Sequence, residues 1–235
     1  MNGESYRRLT TYGENESVRV AYVNNWIDTL SGGNLLDVGA GNMPFKNRVE
    51  SQGVVYTSHD FELYTGHEIS PGLHTRDWNS KGHDIISDIT DLPKNSFEYV
   101  LLTEVLEHVP NPVKALASAS ESLKVGGLIL VTVPFNSRMH QSPFWFSAGL
   151  SPYWFKEHTA QLNLEILDLV VVGDFVDVAI QETPLLLEPL NRGLRVGNIV
   201  VRFLKYLSPW LRKHLSKELL ESGGQGVFCV AQKKK

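Results

Sequence analysis

The chain has 235 residues, 42% hydrophobic and 20% charged, with a formal net charge of −4. That length favours one domain with elaborations over two, and the mild negative charge argues against a surface that tracks a nucleic-acid backbone, so no nucleic-acid partner is expected. A single cysteine, Cys229, excludes an internal disulfide and a Cys-rich metal site, and fits a reducing, cytoplasmic setting.

Taken in chain order, residues 1–33 read as a helical lead-in with its pattern at Val18–Leu30. Short apolar runs then predict strands at Asn34–Val38, Val54–Ser58, Ile85–Ser87, Tyr99–Leu102, Leu128–Val133, Leu164–Val172 and Val227–Ala231. Helical patterns lie between the early ones, at Pro44–Ser51 and Pro112–Leu123. Alternation of this kind predicts an α/β fold, Rossmann-like and doubly wound, with a mostly parallel seven-stranded sheet and helices on both faces. The main domain would run over 34–235. Pro44 suits the first turn of its helix, and Gly53 the left-handed residue after it. Asn111 reads as an N-cap, Gly126-Gly127 as the end of the same helix, and Ser208-Pro209 as the start of another.

Two stretches, 135–162 and 183–226, break the alternation. They read as insertions over the C-terminal edge of the sheet, where ligands of such folds bind, the second as a C-terminal helical flap. The first twenty residues lack the apolar run of a signal peptide, and Met139–Phe155 is too broken by Pro, Ser and Gly to span a bilayer.

The string Asn34 to Phe45, NLLDVGAGNMPF, is a strand entering a glycine turn and a helix. Gly39, Ala40 and Gly41 let the backbone turn tightly beside a ligand. Yet Asp37 leads this loop, and Met43-Pro44 stands where a dinucleotide fingerprint has its last glycine. A pyrophosphate would meet a negative charge and a missing N–H, so the loop suits a cofactor with a positive end, such as S-adenosyl-L-methionine. Asp60 ends the second strand at the spacing of a ribose-binding acid, and Asp88 ends the third, beside Ile89. Singly, each acid reads as a turn cap; three at neighbouring strand ends point to a ligand.

At this point the chain resembles the class I S-adenosylmethionine-dependent methyltransferases, through LLDVGAG, SDITDLPKNSFEYVLLTEVLEHVPNP and GGLILVTVPF. The resemblance implies that Asp37, Gly39, Ala40 and Gly41 line the methionine end, with Thr103 and Glu104 facing it. Asp60 and Phe61 would hold the ribose, and Asp88 and Ile89 the adenine. A narrower similarity, through His59-Asp60-Phe61, Trp78 and the segment PFNSRMHQSPFWFSAGLSPYWFKEH, is to a bacterial subgroup associated with glycan and secondary-metabolite methylation. The acceptor is therefore expected to be a small molecule or saccharide, methylated on a hydroxyl or less readily an amine.

A hydroxyl acceptor needs its proton removed. His140, in the loop after the fifth strand, is the first expectation for a general base, with His108 second and Glu157 and His158 in reserve. No metal ligand is assigned. Phe135, Phe144, Trp145, Phe146, Tyr153, Trp154 and Phe155 read as an acceptor pocket or as a satellite core. From Pro189 to Lys217 the chain holds Arg192, Arg195, Arg202, Lys205, Arg212, Lys213 and Lys217 and no acid. Such a basic amphipathic segment reads as a flap packed on the sheet, as a homodimer contact, or as a peripheral membrane contact for a lipid-linked acceptor. A cofactor-binding but inactive partner of another methyltransferase is the reading from outside enzymology.

Overall fold

The computed structural model describes residues 6–12, 14–64, 81–187 and 196–235; Trp78, Arg192 and Arg195 lie outside the described residues. Eight strands form one sheet: β1 (Arg7–Leu9), β2 (Asn34–Val38), β3 (Val55–Asp60), β4 (Ile85–Ile86), β5 (Phe97–Thr103), β6 (Leu123–Pro134), β7 (Leu164–Val172) and β8 (Gly226–Lys233). Their spatial order is β1-β7-β8-β6-β5-β2-β3-β4. Every neighbouring pair is parallel except those made by β8, which runs antiparallel to both β6 and β7. The helices are α1 (Asn15–Ile27), α2 (Lys46–Ser51), α3 (Pro112–Ser122), α4 (Pro152–Gln161), α5 (Phe175–Leu186), α6 (Val196–His214) and α7 (Lys217–Glu221).

Strands buried on two faces explain the unbroken apolar runs in the sequence. Leu35, Leu101 and Leu130 point to one face, where Val23, Trp26 and Ile27 of α1 and Val49 of α2 cover them. Their neighbours Leu36, Val100, Leu102, Ile129 and Val131 point to the other, beneath Ala115, Leu116 and Ala119 of α3 and Phe155 of α4. Each fully buried aliphatic side chain contributes roughly 1.5–3 kcal/mol. Asn111 caps α3 as expected, its side chain accepting from the Lys114 N–H at 3.0 Å. Gly53 takes φ +70° after α2.

Several expectations are corrected. The lead-in also supplies a strand: β1 pairs with β7, so the sheet has eight strands where seven were expected. It is held by polar contacts, Arg7 against Asp168 at 2.6 Å and Arg8 donating to the Gly173 and Gly223 carbonyls at 2.6 and 2.7 Å. Gly126-Gly127 does not end α3, which stops at Ser122. The pair sits inside β6, at an irregularity opposite Glu98, where a Cβ on Gly127 would lie 2.9 Å from the Glu98 carbonyl. Pro44 lies in the turn before α2 rather than inside it. Pro209 starts no new helix, because α6 continues through it. The Lys205 carbonyl that loses its N–H partner to Pro209 accepts instead from the Ser208 hydroxyl at 2.8 Å. No described helix is long and apolar enough to cross a membrane.

The placement that matters for function is at β2. It pairs with β3 on one side and β5 on the other, so the strand order reverses there: the chain runs outward through β3 and β4 and returns to β5 on the opposite side. In doubly wound sheets the usual ligand position is the crevice at the C-terminal strand ends beside such a strand.

Candidate active site

After β2 the chain turns at Gly39 (φ +67°) and Gly41 (φ +50°). A Cβ on Gly39 would lie 2.6 Å from Cγ2 of Val105, just past β5, so the crevice closes on a residue that has to be glycine. Three amides of the loop already have protein acceptors. Ala40 N–H donates to the His59 carbonyl at 2.9 Å and Met43 N–H to the Ala40 carbonyl at 2.8 Å. Gly41 N–H donates to Oδ2 of Asp60 at 3.1 Å. Amides committed in this way are unavailable to cradle a pyrophosphate.

Carboxylates surround the loop instead. Asp37 is buried; its Oδ2 accepts from the Tyr56 hydroxyl at 2.6 Å, while Oδ1 is buried with no hydrogen-bond partner among the described residues. Burial pushes its carboxyl up to about 7. Asp60 uses its other oxygen too, Oδ1 accepting from the Glu62 N–H at 2.9 Å. Asp88 is exposed and caps the turn that follows, its Oδ1 accepting from the N–H and hydroxyl of Thr90 at 2.8 and 2.7 Å. Those bonds hold its carboxyl below the usual range. The turn-cap reading is thus realised for Asp88, with Ile89 half-buried against the core. Phe61 lies at the surface beyond β3.

One residue escaped the sequence reading. His83 is buried with Nε2 at 3.0 Å from the Gly41 carbonyl and Nδ1 at 2.9 Å from Oε1 of Glu62. Both of its partners are acceptors, so the ring is fully satisfied when both nitrogens carry hydrogen. No spacing signal marks it; it precedes β4 by chain position and reaches the loop only through folding.

A second cluster forms after β5. Thr103 ends the strand, and Glu104 (φ +55°) accepts from the Thr132 hydroxyl at 2.9 Å. Glu107 is completely buried, and neither of its carboxylate oxygens has a hydrogen-bond partner among the described residues. Desolvation raises both carboxyls, Glu107 well above the usual range, and Arg19 of α1 opposes this at each. His108 Nδ1 faces the Phe144 carbonyl at 2.6 Å, and His140 Nδ1 faces the Arg138 carbonyl at 2.9 Å. Carbonyls only accept, so each Nδ1 carries the hydrogen, and in the neutral ring Nε2 is the nitrogen with the lone pair. Burial lowers His108 to about 4. The two rings meet edge to face at 4.7 Å, bringing the two expected bases together across 32 residues of chain.

The loop bearing His140 is pinned to this cluster, with Phe146 and Ser147 N–H groups donating to the Glu107 carbonyl at 2.9 and 3.3 Å. Phe144 meets Phe61 edge-on at 5.0 Å. The aromatic set divides. Phe155 is fully buried in the core and Phe135 and Trp154 pack against it, whereas Phe146 is half-exposed on the loop. Tyr153 meets Tyr6 instead, His158 tilts on Trp154 at 4.6 Å, and Glu157 accepts from Gln161. These last three contacts lie within or beside α4 and do not join the histidine pair.

Comparison with known proteins bears on this arrangement. A family model described as a methyltransferase domain matches residues 19–167. Among curated proteins, the ubiquinone biosynthesis O-methyltransferase of Glaesserella parasuis is 30% identical over 122 residues, 49% of this chain and 51% of its own length. That of Pasteurella multocida is 26% identical over 122 residues, 48% of this chain and 50% of its own. The chain thus spans about half the length of the curated relatives it matches. Of solved structures, a SAM-dependent methyltransferase from Archaeoglobus fulgidus superposes with TM-score 0.54 at 14% identity, covering 94% of both chains. The [4+2]-cyclase SpnF superposes with TM-score 0.54 at 17% identity, covering 98% of this chain and 88% of its own. At such identities the shared property is the fold.

Proposed function

The chain belongs to the methyltransferase domain family, and from that premise we propose that it transfers a methyl group from S-adenosyl-L-methionine to a hydroxyl of a small molecule. The observation that carries the reading is the contrast at the glycine loop: three of its amides are committed to the protein, while Asp37 presents a buried oxygen without a hydrogen-bond partner among the described residues. A cationic nucleoside fits that donor set and a dinucleotide pyrophosphate does not. Asp37, Gly39, Ala40 and Gly41, with Thr103 and Glu104, would hold the methionine end. Asp60 keeps lone pairs for a ribose diol beyond those its two backbone donors use, and Phe61, Asp88 and Ile89 complete the nucleoside side. Once bound, the cofactor supplies an electrophilic methyl group on a sulfonium.

What the protein contributes is alignment, which can supply roughly 7–11 kcal/mol of the barrier. Phe61, Phe144 and Phe146 offer aromatic faces suited to a planar ring acceptor or to the saccharide of the narrower glycan subgroup. The hydroxyl proton has to leave, and the Nε2 lone pairs of His108 and His140 are what the chain offers on that side. Mass spectrometry of phenolic and saccharide acceptors incubated with enzyme and cofactor tests the reading; a gain of one methyl with S-adenosylhomocysteine formed supports it. Cofactor binding without turnover on any acceptor would favour the inactive-partner reading.

A membrane-surface acceptor is the second reading, favoured by α6. Ile199, Phe203, Tyr206 and Trp210 recur on one helical face and are 65, 58, 81 and 57% exposed, beside exposed Arg202 and Lys213. The basic segment is not wholly free for such a contact. Arg212 pairs with Asp174 and Asp177 at 2.6 and 2.8 Å, and Lys205 with Glu14 at 2.7 Å.

A further inference from the structure

We propose that His83, as an imidazolium, is a positioning residue for the cofactor, closing a ring of hydrogen bonds that holds both backbone groups of Gly41. The proposal rests on the methyl-transfer reading for the identity of that cofactor. Around the ring, the Gly41 N–H donates to Oδ2 of Asp60 at 3.1 Å, and the Glu62 N–H donates to Oδ1 of the same carboxylate at 2.9 Å. The Glu62 Oε1 accepts in turn from the His83 backbone N–H at 3.1 Å and from its Nδ1 at 2.9 Å. Nε2 closes the circuit on the Gly41 carbonyl at 3.0 Å. The ring thus joins the loop after β2, the chain leaving β3 and the segment ahead of β4.

Three features separate this ring from an ordinary buried histidine. A carbonyl and a carboxylate only accept, so a neutral imidazole, with one N–H, would turn a lone pair toward one of them; the imidazolium serves both. The hydrogen bonds from His83 hold the Glu62 carboxyl below its usual range, which keeps the counter-charge in place. Glu62 itself is held at φ +55°, a left-handed conformation that a non-glycine residue keeps only where its surroundings enforce it. The His83 side chain is 0% exposed, and its segment is fixed by the next residue. There Oδ2 of Asp84 accepts from the N–H and hydroxyl of Ser58 at 2.8 and 2.7 Å.

The ring serves the cofactor in two ways. Gly41 stands at φ +50° in the glycine loop, and with its N–H and carbonyl both tied the loop is ordered before the ligand arrives, so less ordering is left for binding to cost. The charge reaches further. Burial raises the Asp37 carboxyl, and the Tyr56 hydroxyl and the charge of His83 draw it back toward the carboxylate that a cationic ligand needs. Among the described residues, Glu62, Asp37, Asp84 and His59 are the titratable groups whose ionisation responds to that charge.

Nitrogen NMR of the full chain, labelled at histidine and free of cofactor, reads the ring directly, with the His83 signals assigned by their loss in His83→Asn. Hydrogen on both ring nitrogens near neutral pH is expected, reverting to one in Glu62→Gln, which keeps the shape of the acid without its charge. By calorimetry, His83→Asn and Glu62→Gln should each weaken S-adenosylhomocysteine binding about tenfold, and the double variant no more than either alone, because one ring is broken in all three. In His83→Asn the rise of affinity with pH should also move upward, since Asp37 loses the opposing charge. Circular dichroism checks each fold, and the partly exposed Glu62 provides the milder variant should His83→Asn misfold. A single ring hydrogen in the wild type, unchanged affinity in the folded variants, or losses that multiply in the double variant overturn the proposal while wild-type binding leaves the cofactor reading standing. Absence of wild-type binding overturns that reading, and the proposal with it.

Discussion

The carboxylate of Asp60 accepts the Gly41 N–H at 3.1 Å, so the acid proposed to hold the cofactor ribose also fixes the glycine loop. On that proposal, loop shape and cofactor affinity are linked through one side chain. Asp60→Ala leaves the Gly41 and Glu62 N–H groups without their acceptor, at about 1–3 kcal/mol each where burial is complete. Thermal unfolding should shift down by several degrees and S-adenosylhomocysteine affinity should fall at least tenfold. A stable variant with unchanged affinity would remove Asp60 from both roles.

Asp37 predicts a pH dependence. Its folded-state value of about 7 lies above the ordinary 3.8, so its stabilising form is the protonated one. The contribution is complete below about 4 and is lost as pH rises through 7, with an upper bound of roughly 4 kcal/mol. Denaturant unfolding of the cofactor-free protein should show stability falling across that window. Asp37→Asn should flatten this part of the profile, and cofactor affinity in the wild type should rise with pH as the carboxylate forms. A variant profile parallel to the wild type would contradict this.

Across the crevice, Gly39→Ala meets Cγ2 of Val105 at 2.6 Å and places a side chain at φ +67°. The backbone part costs about 1–2 kcal/mol, and the steric part adds to it. Val105→Ala in the same chain should recover the steric part alone. Equal stability of the single and double variants would mean that the two residues do not meet.

Much of this was legible before folding was considered. β2 and β7 coincide with apolar runs, and Asn111 announces α3, because these signals are local. Three kinds of feature were not. β1 has no apolar run, since Arg7 and Arg8 reach partners more than 160 residues away. Pro209 was misread because the Ser208 hydroxyl replaces the lost N–H. His83 and the burial of Glu107 follow from tertiary contacts that no spacing encodes, so the sequence named His108 and His140 without the buried acid beside them.

The α6 stripe predicts co-sedimentation of the protein with anionic phospholipid vesicles at low salt, fading as salt screens Arg202 and Lys213. Phe203→Ser with Trp210→Ser should abolish it. Absence of sedimentation at low salt would leave the stripe to another partner.

The glycine loop's charge selectivity is tested most directly by calorimetry, with S-adenosyl-L-methionine, S-adenosylhomocysteine and NADH titrated in turn into the full chain. Saturable heat from the first two, diminished in Asp60→Ala, and none from NADH is the predicted result. Heat from NADH with none from either sulfur nucleoside would contradict the account.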